Sequence, residues 1–449
     1  MNSETFIAAF QAVNPAESQP LQYRQMPSGP EMPGAFGAYY TCLKYCEEWD
    51  RLWRVADHPD IVVRFDESPT KMVFWRGTSY IPAWVSENGR WVSDQGPEIF
   101  KRACYESMSD KHCRYSNVRV IENLPSRVLV HWRVALPNIE YQFTQVDPLT
   151  GWVPWGDDYF YIYPDGVCVR YQSCYATGIH EFQQSEVLCQ PGTKPLDNLE
   201  EEAITVMDMN GNTNTFSWKN AYGERLPADS EVNGPIQITN LRSRNRHYVI
   251  GEEGAIFKPF TFGARKGYSN FPNWNHWPVA QLPSDGRVCP APDRPSSTCP
   301  GTLYPIRHEG KEGMSWVRNL YGMTNKDPKY LAVLARSWNN PPTLKLQGGG
   351  FTNQGYDKNQ RAYVLTYSGN GKPEPLTFDI EASKESPVVN LALVVENWGD
   401  YSANLKLNGK LVEQSSDFRI GYRRRLEGVD MIVWIKIESV NPVKIKFSK

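Results

Sequence analysis

YFYIYPDGVCVRYQSC, Tyr159–Cys174, is two β-prone runs joined by Pro164-Asp165-Gly166. Aromatic and β-branched residues on both sides of an Asp-Gly turn specify a β-hairpin. A two-residue Asp-Gly loop puts Tyr161 opposite Arg170, and period two puts Tyr159, Tyr161, Tyr163, Arg170, Gln172 and Cys174 on one face. One reading is an aromatic stripe packed on a neighbouring sheet with Arg at its rim. The other is a Tyr hydroxyl beside a guanidinium, a pair suited to binding a carboxylate and deprotonating the carbon next to it.

The same pattern continues outward. IVVRFD, KMVFWRG, RWVSD, VRVIEN, RVLVHWRVAL, SEVLCQ, PIQITNL, HYVIGE and AIFKPF precede LAVLARSW, RAYVLTYS, LTFDIEAS, VNLALVVENW, ANLKLNGKLVE, MIVWIKIE and VKIKFS. Each is read as a strand bounded by turn residues. Short helices are expected only around Thr41–Arg54 and Leu196–Met207. Residues 1–35 are polar and Pro-rich, an N-terminal arm, and 36–449 are read as one domain. Without alternating helices, doubly wound α/β folds are excluded. So many short strands need sandwiches in series, a β-helix or a propeller.

Composition narrows the function. The chain has 449 residues, net charge −2, 15 Trp, 24 Tyr, 18 Phe, 33 Gly and 34 Pro. A near-neutral chain advertises no nucleic acid, and an anionic ligand needs a local basic cluster. The aromatic excess suits a sugar. No apolar run reaches the ~18–20 residues of a membrane helix. The start MNSETFIAAFQAV is not a signal peptide as it stands. Nine Cys is an odd number and too few for a disulfide scaffold. There is no GxSxG elbow, P-loop, GxGxxG after a strand or HExxH, so nucleotide chemistry and the commonest hydrolase classes lack support.

His112, in DKHCRY, and His131, central in RVLVHWRVAL, fall on or before consecutive strands and are candidates to converge on one site, although a mid-strand His is more often a core residue. His276, Cys289 and Cys299 lie in a stretch rich in Pro, Ser, Asp and Gly, where either zinc or a Cys289–Cys299 disulfide would serve as a staple. Arg242, Arg244 and Arg246 alternate in LRSRNRHY and would share one face of a strand, either as solvated surface or as a row holding a polyanion. Arg423, Arg424 and Arg425 form a second basic run.

FWRGTSYIPAWVSENGRWVSDQ (Phe74–Gln95), YIYPDGVCVR, NHWPVAQLPSDGR (Asn275–Arg287), ARSWNNPP with GYDKNQRAY (Ala335–Tyr363), SPVVNLALVVENWG, RIGY and MIVWIKI resemble, in this order, the seven-bladed β-propeller ulvan lyases. The resemblance implies an all-β, seven-bladed propeller and a polysaccharide lyase cleaving uronate-containing anionic chains by β-elimination. It implies His112, His131, Tyr161 and Arg170 as the catalytic set, with Tyr159, Tyr163 and Tyr175 as other choices for the Tyr. It further implies a structural zinc held by His276, Cys289, Cys299 and Cys174, with His180 as a substitute ligand, and no redox cofactor. The substrate partner would be an anionic polysaccharide, gripped also by Arg242, Arg244 and Arg246. A secreted or periplasmic monomer is expected. A propeller glycoside hydrolase and a non-catalytic sugar-binding propeller are the competing readings.

Overall fold

The structure is a computed structural model. It describes residues 25–27, 35–45, 50, 59–101, 103–178, 180–217, 234–259, 277, 279, 295–298, 301–304, 313–369 and 371–448. The chain is all-β in its main body, and nearly every run read as a strand forms one. Among the described residues these strands gather into sheets of seven, nine, five, five and five, not into blades of four. The pairing explains the difference. A blade pairs strands local in sequence, whereas here Glu186–Cys189 pairs with Trp91–Ser93, about a hundred residues earlier.

The seven-stranded sheet starts with Gly37–Thr41 and the nine-stranded sheet is centred on Cys168–Tyr175. One apolar core lies between them, where Phe74 of the first meets Phe160 of the second edge to face at 5.1 Å. Strand Asp60–Arg64 is buried at four of its five positions, so Ile61, Val62 and Val63 form an apolar run rather than an alternation.

The last hundred residues form a second sandwich of two five-stranded sheets with its own core, built on Leu365, Phe378, Leu393 and Phe447. Its final strand, Val443–Ser448, alternates buried and exposed along VKIKFS, the period of a sheet with one wet face.

Two expected elements change type. LAVLARSW is not a strand but part of the helix Pro328–Asn339. Asp327 caps it by accepting from the Lys329 N–H, and Pro328 opens its first turn. Leu331, Leu334, Ala335 and Trp338, spaced for one helical face, then pack on Ile236, Ile238, Tyr248 and Ile250. Conversely, the helix expected over Leu196–Met207 is mainly the strand Leu199–Met207. Its register shifts between Leu199 and Ile204, which takes the run of glutamates out of the ladder. Of the helix expected over Thr41–Arg54, Thr41 ends a strand, and residues 46–49 and 51–54 lie outside the described residues.

Candidate functional site

The hairpin that opened the reading is present with a different register. Gly166 donates to the Tyr163 carbonyl and Tyr163 to the Val167 carbonyl, so the loop holds three residues, Pro164-Asp165-Gly166. Gly166 sits at φ 75°, the left-handed position that closes a three-residue hairpin. Arg361 and Asn390 of the C-terminal sandwich both grip the Asp165 carboxylate, at 3.0 and 2.8 Å. The loop is therefore an anchor between the two sandwiches.

The one extra loop residue puts Arg170 opposite Phe160, and Tyr161 opposite Val169. A one-residue slip reverses every side chain. Tyr159 and Tyr161 stay on one face; Arg170, Gln172 and Cys174 go to the other, inside the sandwich.

Arg170 is 0% exposed. Its Nε and Nη2 donate to Asp158 Oδ2 at 2.9 and 2.6 Å, Nη2 also donates to the Gln95 carbonyl, and Nη1 donates to the Asp94 carbonyl. This guanidinium is a structural tie between sheets and does not reach a polymer, which corrects the catalytic expectation. Tyr161 packs near the C-terminal sandwich with the Arg127 guanidinium 5.4 Å from its ring, and burial pushes its phenol up to about 12.

The reachable face of the nine-stranded sheet carries a different set. On Trp155–Ile162, Trp155, Asp157, Tyr159 and Tyr161 are half-buried while their alternates are buried. Cross-strand pairing sets His131 beside Tyr159 and Arg133 beside Asp157. His131 stacks on Tyr159 with ring centres 4.5 Å apart, and its Nε2 lies 2.8 Å from Asp157 Oδ1. Arg133 donates to Asp157 Oδ2 at 3.0 Å and lies 4.8 Å from the Trp155 ring centre. Asp157 therefore orients an imidazole and a guanidinium at once. His131 is 6% exposed, so it lies behind Tyr159 rather than at the surface.

Beside this group opens a cavity of about 340 Å³ lined by Arg133, Asp147, Trp152, Trp155, Asp157 and Tyr175, with Thr150, Ser173 and Met314. Trp152, 54% exposed, stands at its edge on a turn in which Asp147 accepts from the Leu149 and Thr150 N–H groups. Those bonds hold the Asp147 carboxyl below the usual range. Along the same sheet rows, Tyr171 lies 6.2 Å from Trp316, and Arg318 lies 4.3 Å from the Trp316 ring centre while it pairs with Glu252 at 2.9 Å. A belt of aromatic faces interrupted by arginines results. Such a belt stacks sugar rings and pairs with their acidic groups.

The remaining sequence candidates are placed elsewhere. His112 is exposed on a loop, stacked on Tyr141 at 5.8 Å, with its backbone N–H donating to the Tyr141 hydroxyl. Burial, then the Arg114 charge, holds its imidazole below the usual range. Its neighbours are not those of His131. Arg242, Arg244 and Arg246 do not form one strand face, because 242–245 turn between two strands. Arg242 Nε donates to the Leu196 and Leu199 carbonyls, and Arg244 bonds Glu87 through its backbone. Arg423 and Arg425 converge on buried Asp430.

Cys174 sits in the core between the sheets, its thiol pushed up by burial and then by Asp158, the reverse of what a metal-bound thiolate needs. It does not fit as a zinc ligand. His180 is taken up by Gly178 and Ser315. His276, Cys289 and Cys299 lie outside the described residues. Among the described residues no group of three or more His, Cys, Asp or Glu gathers as a metal site.

Sequence reasoning reached His131 and kept Tyr159 in reserve, but missed Arg133, Asp157 and Trp155. The signal for Arg133 was available in RVLVHWRVAL, where it shares a face with His131, and period two likewise puts Trp155 and Asp157 on the face of Tyr159.

No family model matches the chain, and no curated protein matches its sequence. Among solved structures, an alpha-mannosidase from Enterococcus faecalis V583 aligns at TM-score 0.32 and 8% identity over 84% of this chain and 42% of that one. A glycosyl hydrolase family 38 protein from Enterococcus faecalis aligns at 0.29 and 8%, over 71% and 37%. Galactose 1-epimerase from Lactobacillus acidophilus NCFM aligns at 0.28 and 8%, over 64% and 99%. The chain thus spans well under half of the first two. Similarity at this level assigns neither fold nor function.

Proposed function

We propose that the open face of the nine-stranded sheet binds a uronate-containing polysaccharide and cleaves it by β-elimination. The observation that carries this reading is Arg133 and Asp157 side by side in an aromatic-lined cavity, with His131 stacked on Tyr159 next to them. The C5 proton of a uronate becomes removable when its carboxylate is neutralised. Arg133, held by Asp157 and exposed over 41% of its side chain, is the group to do this. It replaces Arg170 in that role.

The phenolate form of Tyr159 takes the C5 proton and, now a phenol, passes that proton to the departing O4 oxygen. The C4–O4 bond breaks, a C4–C5 double bond forms, and no redox cofactor is required. His131, fixed by Asp157, stacks on Tyr159 and positions its ring. This reading keeps the ulvan-lyase chemistry that the sequence suggests and does not depend on a seven-bladed ring. It retains an anionic polysaccharide as partner and an extracellular or periplasmic setting. A zinc held by His276, Cys289 and Cys299 stays outside the reaction.

Glycoside hydrolysis is the second reading, because Asp147 and Asp157 line one cavity. A hydrolase needs one carboxyl with a raised pKa to act as acid, and Asp147 is shifted the other way. Incubation with a panel of uronate polysaccharides separates the two. New chains ending in an ultraviolet-absorbing unsaturated uronate support the lyase. Reducing ends without that chromophore identify a hydrolase, and absence of both leaves a sugar-binding face.

A further inference from the structure

The turn that breaks up the Arg242–Arg246 row leaves one guanidinium uncommitted. Arg242 donates to the Leu196 and Leu199 carbonyls, and Arg246 to the Lys326 carbonyl. Arg244 is tied down through its backbone N–H, which donates to Glu87, and among the described residues no carboxylate or carbonyl takes its guanidinium. An exposed arginine without a partner is ordinary by itself. This one lines a cavity of about 250 Å³ in the crease between the two sandwiches.

Both sandwiches build that cavity. Tyr248 and Met323 come from the nine-stranded sheet, Tyr330 from the helix Pro328–Asn339, and Trp434 from the C-terminal sandwich. Three ion pairs cross from one sandwich to the other around it: Lys326 with Glu438 at 3.1 Å, Lys436 with Glu67 at 3.0 Å, and Arg419 with Asp66. Asp165, the remaining acid of the wall, is taken by Arg361 and Asn390. Every charge lining the cavity is thus matched except that of Arg244. Trp434 is 2% exposed, and no described residue accepts from its Nε1. Ala392, Val394 and Ile432, which share its core cluster, carry no side-chain acceptor, so the cavity is where this donor is met.

We infer that this crease is a second ligand site, for a small organic monoanion that carries hydroxyl groups, a sugar acid of one ring. The two uncommitted groups, a guanidinium and an indole N–H, only donate, so the ligand has to accept. One unmatched positive charge answers one carboxylate, which a guanidinium grips by two parallel bonds. A phosphate ester or a polyanion would bring further negative charge beside Asp66, Glu67, Asp165 and Glu438. A bare inorganic anion would leave the Tyr248, Tyr330 and Trp434 walls unused, and aromatic faces are what sugar rings pack on. The volume sits just below the roughly 300–1,000 Å³ of common small-molecule sites, which suits one ring and not a chain. The site is remote from the open face. Met323 lines this cavity and Met314 the other, and the strand Met314–Thr324 sets them roughly 30 Å apart.

The test is titration calorimetry of the full-length chain with D-glucuronate, with D-glucose as neutral counterpart and sulfate as bare anion. It is run in Arg133→Ala, which disables the open face, so that the result does not depend on the lyase reading. Arg133→Ala should bind glucuronate saturably and more tightly than glucose or sulfate. Adding Arg244→Ala keeps the backbone bond to Glu87 and removes only the free guanidinium. It should leave the melting temperature unchanged and weaken glucuronate about tenfold to a hundredfold, the scale of a hydrogen bond to a charged group. Trp434→Phe keeps an aromatic wall without the N–H and should weaken it about threefold to tenfold. No saturable binding of glucuronate overturns the site. So does binding that Arg244→Ala leaves intact, which puts the ligand elsewhere. Sulfate or glucose binding as tightly as glucuronate overturns it too, since Arg244 would then be an ordinary surface arginine or the cavity blind to the acid group.

Discussion

Two arginines on neighbouring parts of one sheet show how far a single alternation step separates structure from chemistry. Arg133 and Arg170 each hold an aspartate of the strand Trp155–Ile162, Asp157 for one and the adjacent Asp158 for the other. Asp157 faces out, so Arg133 is 41% exposed along its side chain and borders a cavity. Asp158 faces in, so Arg170 has no exposed surface and ties two sheets together. Residue type is equal in the two pairs; only the face differs. Burial turns the same kind of ion pair from a reachable one into an architectural tie.

The sharpest way to break that comparison is to remove each arginine. Arg170→Ala leaves Asp158 buried and uncompensated, and should cost about 3–5 kcal/mol in urea unfolding, enough to lose the folded protein in some conditions. Arg133→Ala should cost no more than about 1 kcal/mol, as for an exposed pair. Equal losses would mean that the two faces are not distinguished as described.

In activity the order reverses. Asp157→Asn keeps the shape but releases both Arg133 and His131. It should lower turnover by about 10²-fold or more, with little change in melting temperature. Steady-state kinetics on the responsive polysaccharide checks this.

A smaller contrast concerns the interior carboxyls. Burial, opposed by a hydrogen bond from Ser297 and reinforced by Glu106, pushes Glu186 up to about 8. Its folded pKa lies above the unfolded 4.5, so the stability linked to the proton is fully present below pH 4.5 and is lost as pH rises through 8. Wild-type stability should decline over this window, and Glu186→Gln should flatten the decline. An unchanged slope in unfolding experiments across that range would count against a protonated Glu186.

A small effect is expected at Arg242, whose half-exposed side chain pairs with Glu200 only at 3.8 Å and donates through Nε to the Leu196 and Leu199 carbonyls. Arg242→Ala should change stability by about 0.2–1 kcal/mol and leave polysaccharide turnover as it was. A large rise in KM would restore the Arg242–Arg246 turn as a polymer contact.

These contrasts also mark what the sequence made legible. Strands were readable because alternation such as VKIKFS directly records which side is wet. The helix Pro328–Asn339 was not, because its apolar spacing was outweighed by an aliphatic LAVL core and its Asp327-Pro328 start was passed over. The hairpin was legible as a hairpin, but its loop length was not, since Pro164 either precedes or belongs to the turn. That one residue moved Arg170 and Cys174 from the supposed site into the core. His131 was found because a His in an apolar strand stands out. Arg133 and Asp157 were missed because an isolated charge in a strand reads equally well as solvated surface. Sheet pairing across a hundred residues leaves no local signal at all.

The most direct test uses two tyrosines on one strand and one face. Tyr159 stacks on His131 at the centre of the open face; Tyr161 lies two residues on, against the C-terminal sandwich with its phenol pushed up to about 12. The measurement is the initial rate of unsaturated-uronate formation for Tyr159→Phe and Tyr161→Phe at matched substrate. The account predicts a loss of about 10²-fold or more for Tyr159→Phe and near wild-type rates for Tyr161→Phe. The opposite order, with Tyr161→Phe inactive and Tyr159→Phe intact, would contradict it.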